Sequence, residues 1–201
     1  MKVVLKVANE NQLAECDFAS ADEIANLAHW PRRVRGRRDQ DTTDALEFAQ
    51  LARKRWRTYL EMERTARSLP ELKERIAADK DAEVAMLAII RIPGKKASVA
   101  GFCLFRRTWR NHLMLDLLAS DPSGYARISR VGASLLYFVA SVGESIGADF
   151  IWGEATQGSA PFYRHWFGVP LNDWFRVRAS VYRRFQSRYL DDWRKSGLPC
   201  D

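Results

Sequence analysis

The sequence predicts a mixed α/β (α+β) fold, in which a mostly antiparallel sheet is flanked by helices and the N-terminal part is an extended helical segment. Three observations predict this class. Three apolar runs of strand length follow one another closely between residues 84 and 120. A long amphipathic stretch at 131–146 then connects them to a further run at 149–156. The residues before 83 instead carry repeated helix-start signals.

The chain is expected to begin with a strand and a short helix. Residues 3–7 are short and β-branched, which is typical of a strand. Ser20 and Glu23 have the spacing of a capping box, so we expect a helix over about 21–29 that ends before Pro31. The run from Arg32 to Arg38 predicts a loop that either contacts phosphate or is simply a solvated surface.

Two further helices are predicted before the apolar runs. Asp44 and Glu47 mark a helix start, and apolar residues recur on one face through about residue 66. Ser68 and Glu71 mark another start, for a helix to about Ala78 with a proline in its first turn. Residues 1–82 are therefore expected to form an N-terminal strand followed by helices.

The middle of the chain predicts an antiparallel meander of three strands. The runs VAMLAIIRI and SVAGFCLFRRT are separated by Pro93 to Lys96, which supply turn chemistry, so they form a hairpin of largely buried strands. The third run, HLMLDLLAS, follows after only three residues. Strands this closely spaced pair with their sequence neighbours.

After the third strand, the spacing of the apolar residues changes to that of a helix. An apolar stripe from Val131 to Ile146 predicts a helix that stops at Gly147. The run DFIWGEAT is reached through this helix, so we expect a strand parallel to HLMLDLLAS. The segment SAPFYRHWFG predicts a short helix, and WFRVRASVY predicts a final strand before a polar tail whose composition allows a helix.

Length and composition are those of a globular protein. With 201 residues, 47% of them hydrophobic, the chain is expected to form one domain over 1–201 without a disulfide or a metal. The three cysteines are far apart and odd in number, which excludes a zinc knuckle or a CxxC redox motif. No apolar stretch reaches the ~20 residues of a membrane span, so we expect a soluble, cytoplasmic protein without membrane contact. The net charge of +7 favours anionic partners, although many basic domains have none.

The segment after HLMLDLLAS resembles the coenzyme A segment of the GNAT N-acetyltransferase superfamily. In that family a strand and a proline lead into an Arg/Gln-x-x-Gly-x-Gly/Ala turn and a helix. The corresponding residues here are Arg127, Ile128, Ser129, Arg130, Val131, Gly132 and Ala133, with Arg130 in place of the middle glycine. Backbone N–H groups at a helix N-terminus bind phosphate, and glycine permits close approach. The resemblance implies acetyl-CoA, or another acyl-CoA, as co-substrate.

A second resemblance to the same family lies downstream, in Thr156-x-x-Ser159-x-x-Phe162-Tyr163 with Gly168 after it. The family has asparagine where this chain has Thr156, and that position implies a contact with the cofactor. The resemblance implies that Tyr163 is the general acid that protonates the departing thiolate. The same aromatic spacing is also that of a helix packed into a core.

The resemblance also implies roles for residues on two neighbouring strands. Some family members carry a glutamate base at the strand position of Asp116, whose carboxylate interrupts an apolar run and would have a raised pKa if buried. Glu154 is the second candidate base. In the family the two strands splay around the cofactor, so a backbone N–H of Leu118 or Ser120 would polarise the thioester carbonyl. The alternative for Asp116 is an outward-facing position on an exposed sheet.

The leading functional hypothesis is an N-acyltransferase that acetylates an amine directly from acetyl-CoA. The chain would divide into an acceptor side (1–82), a core sheet with the coenzyme A site (83–170) and a final strand with its tail (171–201). A small amine, a protein and tRNA all remain open as acceptors, and a homodimer through an exposed edge strand is allowed.

Two other functions remain open. One is a GNAT-like binding module that has lost catalysis, and the other is a basic protein directed at nucleic acid or tRNA through Arg32 to Arg38. No metal site is predicted, because the three histidines are scattered. The sequence also has no P-loop, GxSxG or Cys–His signature.

Overall fold

The computed structural model describes residues 1–27, 30, 39–92, 99–122 and 128–199. The predicted loop from Arg32 to Arg38, the predicted turn from Pro93 to Lys96, and Arg127 lie outside these residues. The strands are β1 (Lys2–Val7), β2 (Glu10–Phe18), β3 (Val84–Arg91), β4 (Val99–Arg107), β5 (Leu113–Ser120), β6 (Ile128–Ser129), β7 (Phe150–Glu154) and β8 (Trp174–Arg178). The helices are α1 (Ala21–Asn26), α2 (Asp39–Glu61), α3 (Leu69–Ala78), α4 (Val131–Ser145), α5 (Ala160–Phe167) and α6 (Ala179–Arg194).

The strands form one mixed sheet in the order β6-β1-β2-β3-β4-β5-β7-β8. The pairs β3–β4 and β4–β5 are antiparallel, which confirms the predicted meander. The pair β5–β7 is parallel, because α4 carries the chain across the sheet between them. The predicted fold class, a mostly antiparallel sheet flanked by helices, is therefore confirmed.

Helices pack on both faces of the sheet. Side chains from α3, α4, α5 and α6 share one buried cluster with Met86 and Cys103, and side chains from α1 and α2 share a second cluster with Leu87 and Leu104. Successive residues of β3 and β4 thus point to opposite clusters. This is why both strands read as continuous apolar runs instead of alternating ones.

The helix starts follow the local signals in the sequence. Ser20 and Glu23 form a complete capping box at α1, and the Ser68 hydroxyl accepts the Glu71 N–H at the start of α3. Helix α2 begins at Asp39, five residues before the predicted start at Asp44. None of the helices in the described residues is long and apolar enough to cross a membrane.

Two elements differ from the sequence-based expectation. Strand β2 was not predicted, because ENQLAECDF is rich in polar residues; it forms by pairing with β1 on one side and β3 on the other. The predicted final strand through Tyr182 is wrong beyond Arg178, where α6 begins. Helix α6 places Tyr182, Phe185, Tyr189 and Trp193 in the core, at helical spacing.

Candidate active site

Strands β5 and β7 are paired only at their beginnings. Leu113–Leu115 pair with Ile151–Gly153, and the described residues show no β5–β7 pair beyond them. The two strands therefore separate after Leu115, which leaves Asp116–Ser120 of β5 with an open edge toward β7. This opening is a gap between the sixth and seventh of the eight strands, and it is lined by backbone groups of β5, whose other edge is paired with β4.

A β-bulge lies at the point where the strands separate. Leu115 pairs with Phe105 and Leu117 with Leu104, so Asp116 is the extra residue on β5. The bulge changes which face the side chains point to. Leu115 belongs to the buried cluster beside α4, whereas Leu117 belongs to the cluster beside α2. Asp116 itself faces α2, where its carboxylate lies near Arg55 and Arg106.

The ladder between β4 and β5 fixes the direction of the N–H groups beyond the bulge. The N–H of Asp121 donates to the Ala100 carbonyl of the β4 side at 2.8 Å. Along a strand, successive N–H groups point to opposite edges, so those of Ser120 and Leu118 point to the open edge. The two residues predicted to polarise a carbonyl therefore direct their donors into the gap.

Helix α4 begins beside this gap, and its first N–H groups have no acceptor within the helix. Its N-cap is Arg130, and no side chain in the described part of the chain caps it. The first intrahelical bond runs from the Ser134 N–H to the Arg130 carbonyl at 2.9 Å. The N–H groups of Val131, Gly132 and Ala133 precede that bond and have no intrahelical acceptor. Together with the helix dipole they favour an anion.

Arg130 adopts the left-handed backbone conformation, with φ at 72°. This conformation favours glycine, which is the residue that the family has at this position. The Arg130 side chain extends toward α6, where its Nη2 atom lies 4.0 Å from Asp192 Oδ2. The guanidinium is therefore partnered by α6.

The preceding residues form β6, which was not predicted. Ile128 and Ser129 pair with Val7 and Lys6 of β1, so the segment that leads into α4 is attached to the N-terminal strand. Ile128 is half-buried and Ser129 is exposed. The backbone that precedes the helix is thereby tied to the sheet.

Phe162 of α5 closes the space between α4 and β5. A Cβ atom on Gly132 would lie 3.2 Å from the Phe162 ring and 3.5 Å from a Leu118 methyl group. Glycine at position 132 therefore lets α5 approach the first turn of α4. The sequence analysis expected this glycine for the approach of a phosphate, which stays a prediction; in the structure the group closest to a Cβ at this position is the Phe162 ring.

Tyr163 is buried, with 5% of its surface exposed. Its ring packs on Phe175 at 4.4 Å between centroids and on Phe162 at 5.0 Å. Burial raises the pKa of Tyr163, and the nearby Cys103 thiol of β4 adds to this. The phenol is therefore protonated at any physiological pH. Tyr163 is thus a core residue whose hydroxyl keeps its proton.

Thr156 is exposed and uses its hydroxyl locally. Its Oγ1 accepts the Ser159 N–H at 3.2 Å and contacts the Ser159 hydroxyl at 3.1 Å. These bonds fix the turn before α5. The structure thus gives Thr156 a role in positioning the helix that carries Tyr163.

Asp116 lies in a polar cluster between α2 and the sheet. Only 3% of its side chain is exposed, and Arg106 Nε lies 3.3 Å from Oδ1 and 3.2 Å from Oδ2. Arg55 of α2 approaches Oδ1 at 3.7 Å. Oδ1 accepts the Arg106 hydrogen bond, and Oδ2 accepts none from the described residues. Burial raises the pKa of Asp116, and Arg106 and then Arg55 offset part of this.

The sequence analysis missed the partners of Asp116. Arg106 also pairs with Glu83, and the Tyr59 hydroxyl of α2 donates to Glu83 at 3.5 Å. One signal was available: Arg106 interrupts the second apolar run on the strand next to Asp116. Tyr59 and Arg55 could not be found in this way, because only tertiary packing brings α2 over β5.

Glu154 stands apart from this cluster. It ends β7, is exposed, and pairs in the ladder with Trp174 of β8. Since Gly153 is the last β7 residue paired with β5, Glu154 and Asp116 are the first residues on either side of the gap. In the described residues no group of three or more His, Cys, Asp or Glu side chains could hold a metal ion.

Comparison with solved structures agrees with this architecture. PaiA N-acetyltransferase from Thermoplasma acidophilum, in complex with coenzyme A, superposes with a TM-score of 0.52 at 13% identity, over 82% of this chain and 98% of that one. The fold is that of a GNAT-type N-acetyltransferase. A GNAT-family acetyltransferase from Staphylococcus aureus Mu50 matches with a TM-score of 0.48 at 14% identity, over 83% of this chain and 99% of that one.

Other similarities are more partial. Nourseothricin acetyltransferase matches with a TM-score of 0.33 at 20% identity, over 40% of this chain, and the match spans 48% of that enzyme. No protein-family model and no curated protein sequence matches the chain. At these identities the similarity concerns the GNAT fold.

Proposed function

We propose that the protein is a coenzyme A-dependent N-acyltransferase that transfers an acetyl, or another acyl, group to an amine. The observation that carries this proposal is the open edge of β5. There the bulge at Asp116, the outward N–H groups of Leu118 and Ser120, and the uncapped start of α4 lie along one gap in the sheet. The crystal structure of PaiA with coenzyme A, on a similar fold, supports it.

The groups present fit a coenzyme A thioester. The N–H groups of Val131, Gly132 and Ala133 would hold its diphosphate, because they are donors at the positive end of a helix. The N–H groups of Leu118 and Ser120 would hold the thioester end. Phe162, whose ring lies beside Gly132, would border the chain that joins the two ends. Ile128 and Ser129 would hold the backbone that leads into α4, through their pairing with β1.

The proposed chemistry is a direct transfer. The thioester supplies an acyl group and a thiolate leaving group. Asp116 accepts a proton from the acceptor amine as the new C–N bond forms. The N–H groups of Leu118 and Ser120 donate to the carbonyl oxygen as it gains charge, and Tyr163 donates its proton to sulfur as the C–S bond breaks.

Asp116 is the better candidate base of the two carboxylates. Its side chain is buried and its pKa is raised, which brings the carboxylate closer to the basicity that proton transfer from an amine requires. Glu154 is exposed and has no such environment. Glu154 lies on β7, at the solvent-exposed side of the gap, where its carboxylate would face an incoming acceptor.

Titration calorimetry with acetyl-CoA tests the cofactor site. We expect micromolar binding, and we expect Gly132→Val to abolish it, because the added side chain enters the space between Phe162 and Leu118. Ser187→Ala, an exposed change on α6, is the control. No binding of acetyl-CoA or coenzyme A at high concentration would favour the non-catalytic binding module instead.

Tyr163→Phe tests the proposed acid. The substitution keeps the ring that packs on Phe175 and removes only the proton donor. We expect kcat with a small amine to fall by about 10²–10³-fold while the Kd for coenzyme A stays within twofold. An unchanged kcat would remove Tyr163 from the mechanism and leave it as a core residue.

A further inference from the structure

One part of the sheet carries exposed aromatic and basic side chains in alternation. Strands β7 and β8 carry these side chains on the side of the sheet where α2 packs, but beyond the part that α2 covers. We call this surface the β7–β8 face; it consists of Phe150, Trp152, Trp174, Arg176 and Arg178. Trp174 is 63% exposed, both arginines are exposed, and Phe150 and Trp152 are half-buried. The opposite sides of these strands are buried against α4 and α6 through Ile151, Phe175 and Val177. The described residues therefore leave this face uncovered.

The β7–β8 face is ordered by the strand register. Phe150 lies opposite Arg178, and Trp152 lies opposite Arg176. The Arg176 guanidinium also lies over the Phe150 ring, 3.8 Å from its centroid. The His112 ring of the β4–β5 turn also packs on Phe150, edge to face, with the ring centroids 4.9 Å apart. Rings and guanidinium groups thus alternate across the two strands.

The β7–β8 face leads directly to the candidate active site. Trp174 pairs with Glu154, the residue that faces Asp116 across the gap between β7 and β5. Met114 lies beside Trp152 and contacts Arg106, the partner of Asp116. A molecule that lies on this face would therefore place one of its ends at the proposed acceptor position.

We propose that the β7–β8 face binds single-stranded nucleic acid, and that this nucleic acid carries the amine that is acylated. Bases would stack on the rings of Trp174 and Trp152, and phosphates would pair with Arg176 and Arg178. Every base has a stackable face, so such a surface needs no particular sequence. The binding surface stands by itself; only the acceptor role rests on the proposed acyltransferase function.

Charge favours this occupant over a second copy of the chain. The protein carries a net charge of +7, so two copies repel each other at long range, whereas a polyanion is attracted. A two-fold contact through this face would also bring the arginines of one copy close to those of the other. The phosphates of a nucleic acid would instead neutralise these arginines. Glu154 faces the same way at the end next to the gap, and Asp149 lies near His112 at the other end.

Fluorescence anisotropy with a labelled oligouridylate of about twelve nucleotides tests the surface, without coenzyme A. We expect binding that weakens with salt, and the slope of log K against log salt to fall by about 0.7 in Arg176→Gln. Trp174→Leu should weaken binding about tenfold, while Trp174→Phe, which keeps a stackable ring, should retain most of it. Arg183→Gln on α6, an exposed arginine on the opposite side of the sheet, should leave the affinity unchanged.

Two competitors separate the possible outcomes. If heparin, a polyanion without bases, displaces the oligouridylate but Trp174→Leu has no effect, binding is by charge alone and the stacking surface is refuted. If no oligouridylate binds and ultracentrifugation shows a dimer that Trp174→Leu dissociates, the occupant is a second copy and the proposal is overturned.

A transfer assay tests the acceptor role. The probe is an oligouridylate with a 3′-aminoalkyl group, compared with the free aminoalkanol. We expect a KM at least tenfold lower for the tethered amine and loss of that advantage in Arg176→Gln, with kcat unchanged. Equal KM values, with oligouridylate still bound, would overturn the acceptor role alone. Binding of oligouridylate without any binding of acetyl-CoA would refute the acyltransferase function and leave the surface standing.

Discussion

At the scale of single residues, Arg106 connects two carboxylates that come from different segments. It pairs with Asp116 on the neighbouring strand and with Glu83 before β3. Burial raises the pKa of Asp116, and the positive charge of Arg106 offsets part of that rise. Without Arg106, the ion pair that the described residues leave to Asp116 is the one with Arg55, at 3.7 Å and on an exposed side chain. Arg106 is therefore a positioning residue for the candidate base.

Arg106→Gln should move the pH dependence of transfer. Removing the cation raises the pKa of Asp116 further, and a general base must be ionised to act. The acid limb of kcat/KM against pH should shift to higher pH in the variant. The matched control is Arg91→Gln on β3, which breaks a comparable ion pair with Glu23 of α1. It should lower stability and leave the acid limb in place. A shift in both variants, or in neither, would contradict the role of Arg106.

The candidate residues that the sequence could indicate are those with a local signature. Asp116 stood out as a carboxylate inside an apolar run, and Tyr163 stood out within a motif of fixed spacing. Arg55, Tyr59 and Glu83 have ordinary local surroundings, and only the packing of α2 across the sheet makes them neighbours of Asp116. Their roles as catalytic, binding or supporting groups stay predictions.

At the scale of elements, the Tyr189 hydroxyl of α6 is hydrogen-bonded both to the sheet and to α4. Tyr189 accepts the Val4 N–H at 3.2 Å and bonds the Ser134 hydroxyl of α4 at 2.7 Å. Burial raises the pKa of Tyr189 to about 12, so the hydroxyl remains neutral and able to donate. Three elements that are distant in sequence, β1, α4 and α6, thus meet at one oxygen atom.

Tyr189→Phe should lower the free energy of unfolding by about 1–3 kcal/mol, because it leaves the buried Val4 N–H without this acceptor. Urea unfolding followed by circular dichroism measures the change. Ser187→Ala on the same helix removes an exposed hydroxyl bonded only within the helix, and should change stability by less than about 0.5 kcal/mol. Equal stability of Tyr189→Phe and the parent would show that water replaces the bond.

The elements missed by sequence reasoning share a physical cause. Strand β2 owes its existence to two partner strands and not to its own polar sequence. The start of α6 was mispredicted because the alternating pattern of β8 was extended beyond Arg178. The apolar residues that follow have helical spacing: Tyr182, Phe185, Tyr189 and Trp193. The meander, α4 and the parallel strand were predictable because long apolar runs and a clear helical stripe mark them.

At the scale of the whole molecule, the proposed cofactor groups come from both halves of the central sheet. The β5 edge belongs to the meander, and the start of α4 is tied through β6 to the N-terminal strand. A ligand that contacts both binds only when these parts are assembled. Binding should therefore be visible as a change in global stability.

Acetyl-CoA should raise the Tm. At about 100 times its Kd, a ligand of the native state adds about 2.7 kcal/mol, which for a chain of this size corresponds to a rise of about 5–10 °C. Differential scanning calorimetry measures it. Adenosine, which lacks the diphosphate, should give no rise at the same concentration. A rise with adenosine alone would move the site away from the start of α4.

The bulge at Asp116 changes which residues of β5 face each layer of helices. Up to Leu115 the odd-numbered residues face α4, and from Leu117 onward they face α2. Deleting residue 116 would restore a regular ladder and would leave Leu115 facing α4 and Leu117 and Ala119 facing α2. The strand could therefore lose its candidate base by a deletion and keep its packing. The extra residue is not needed to match the two hydrophobic cores, so what it adds to this strand is the carboxylate itself.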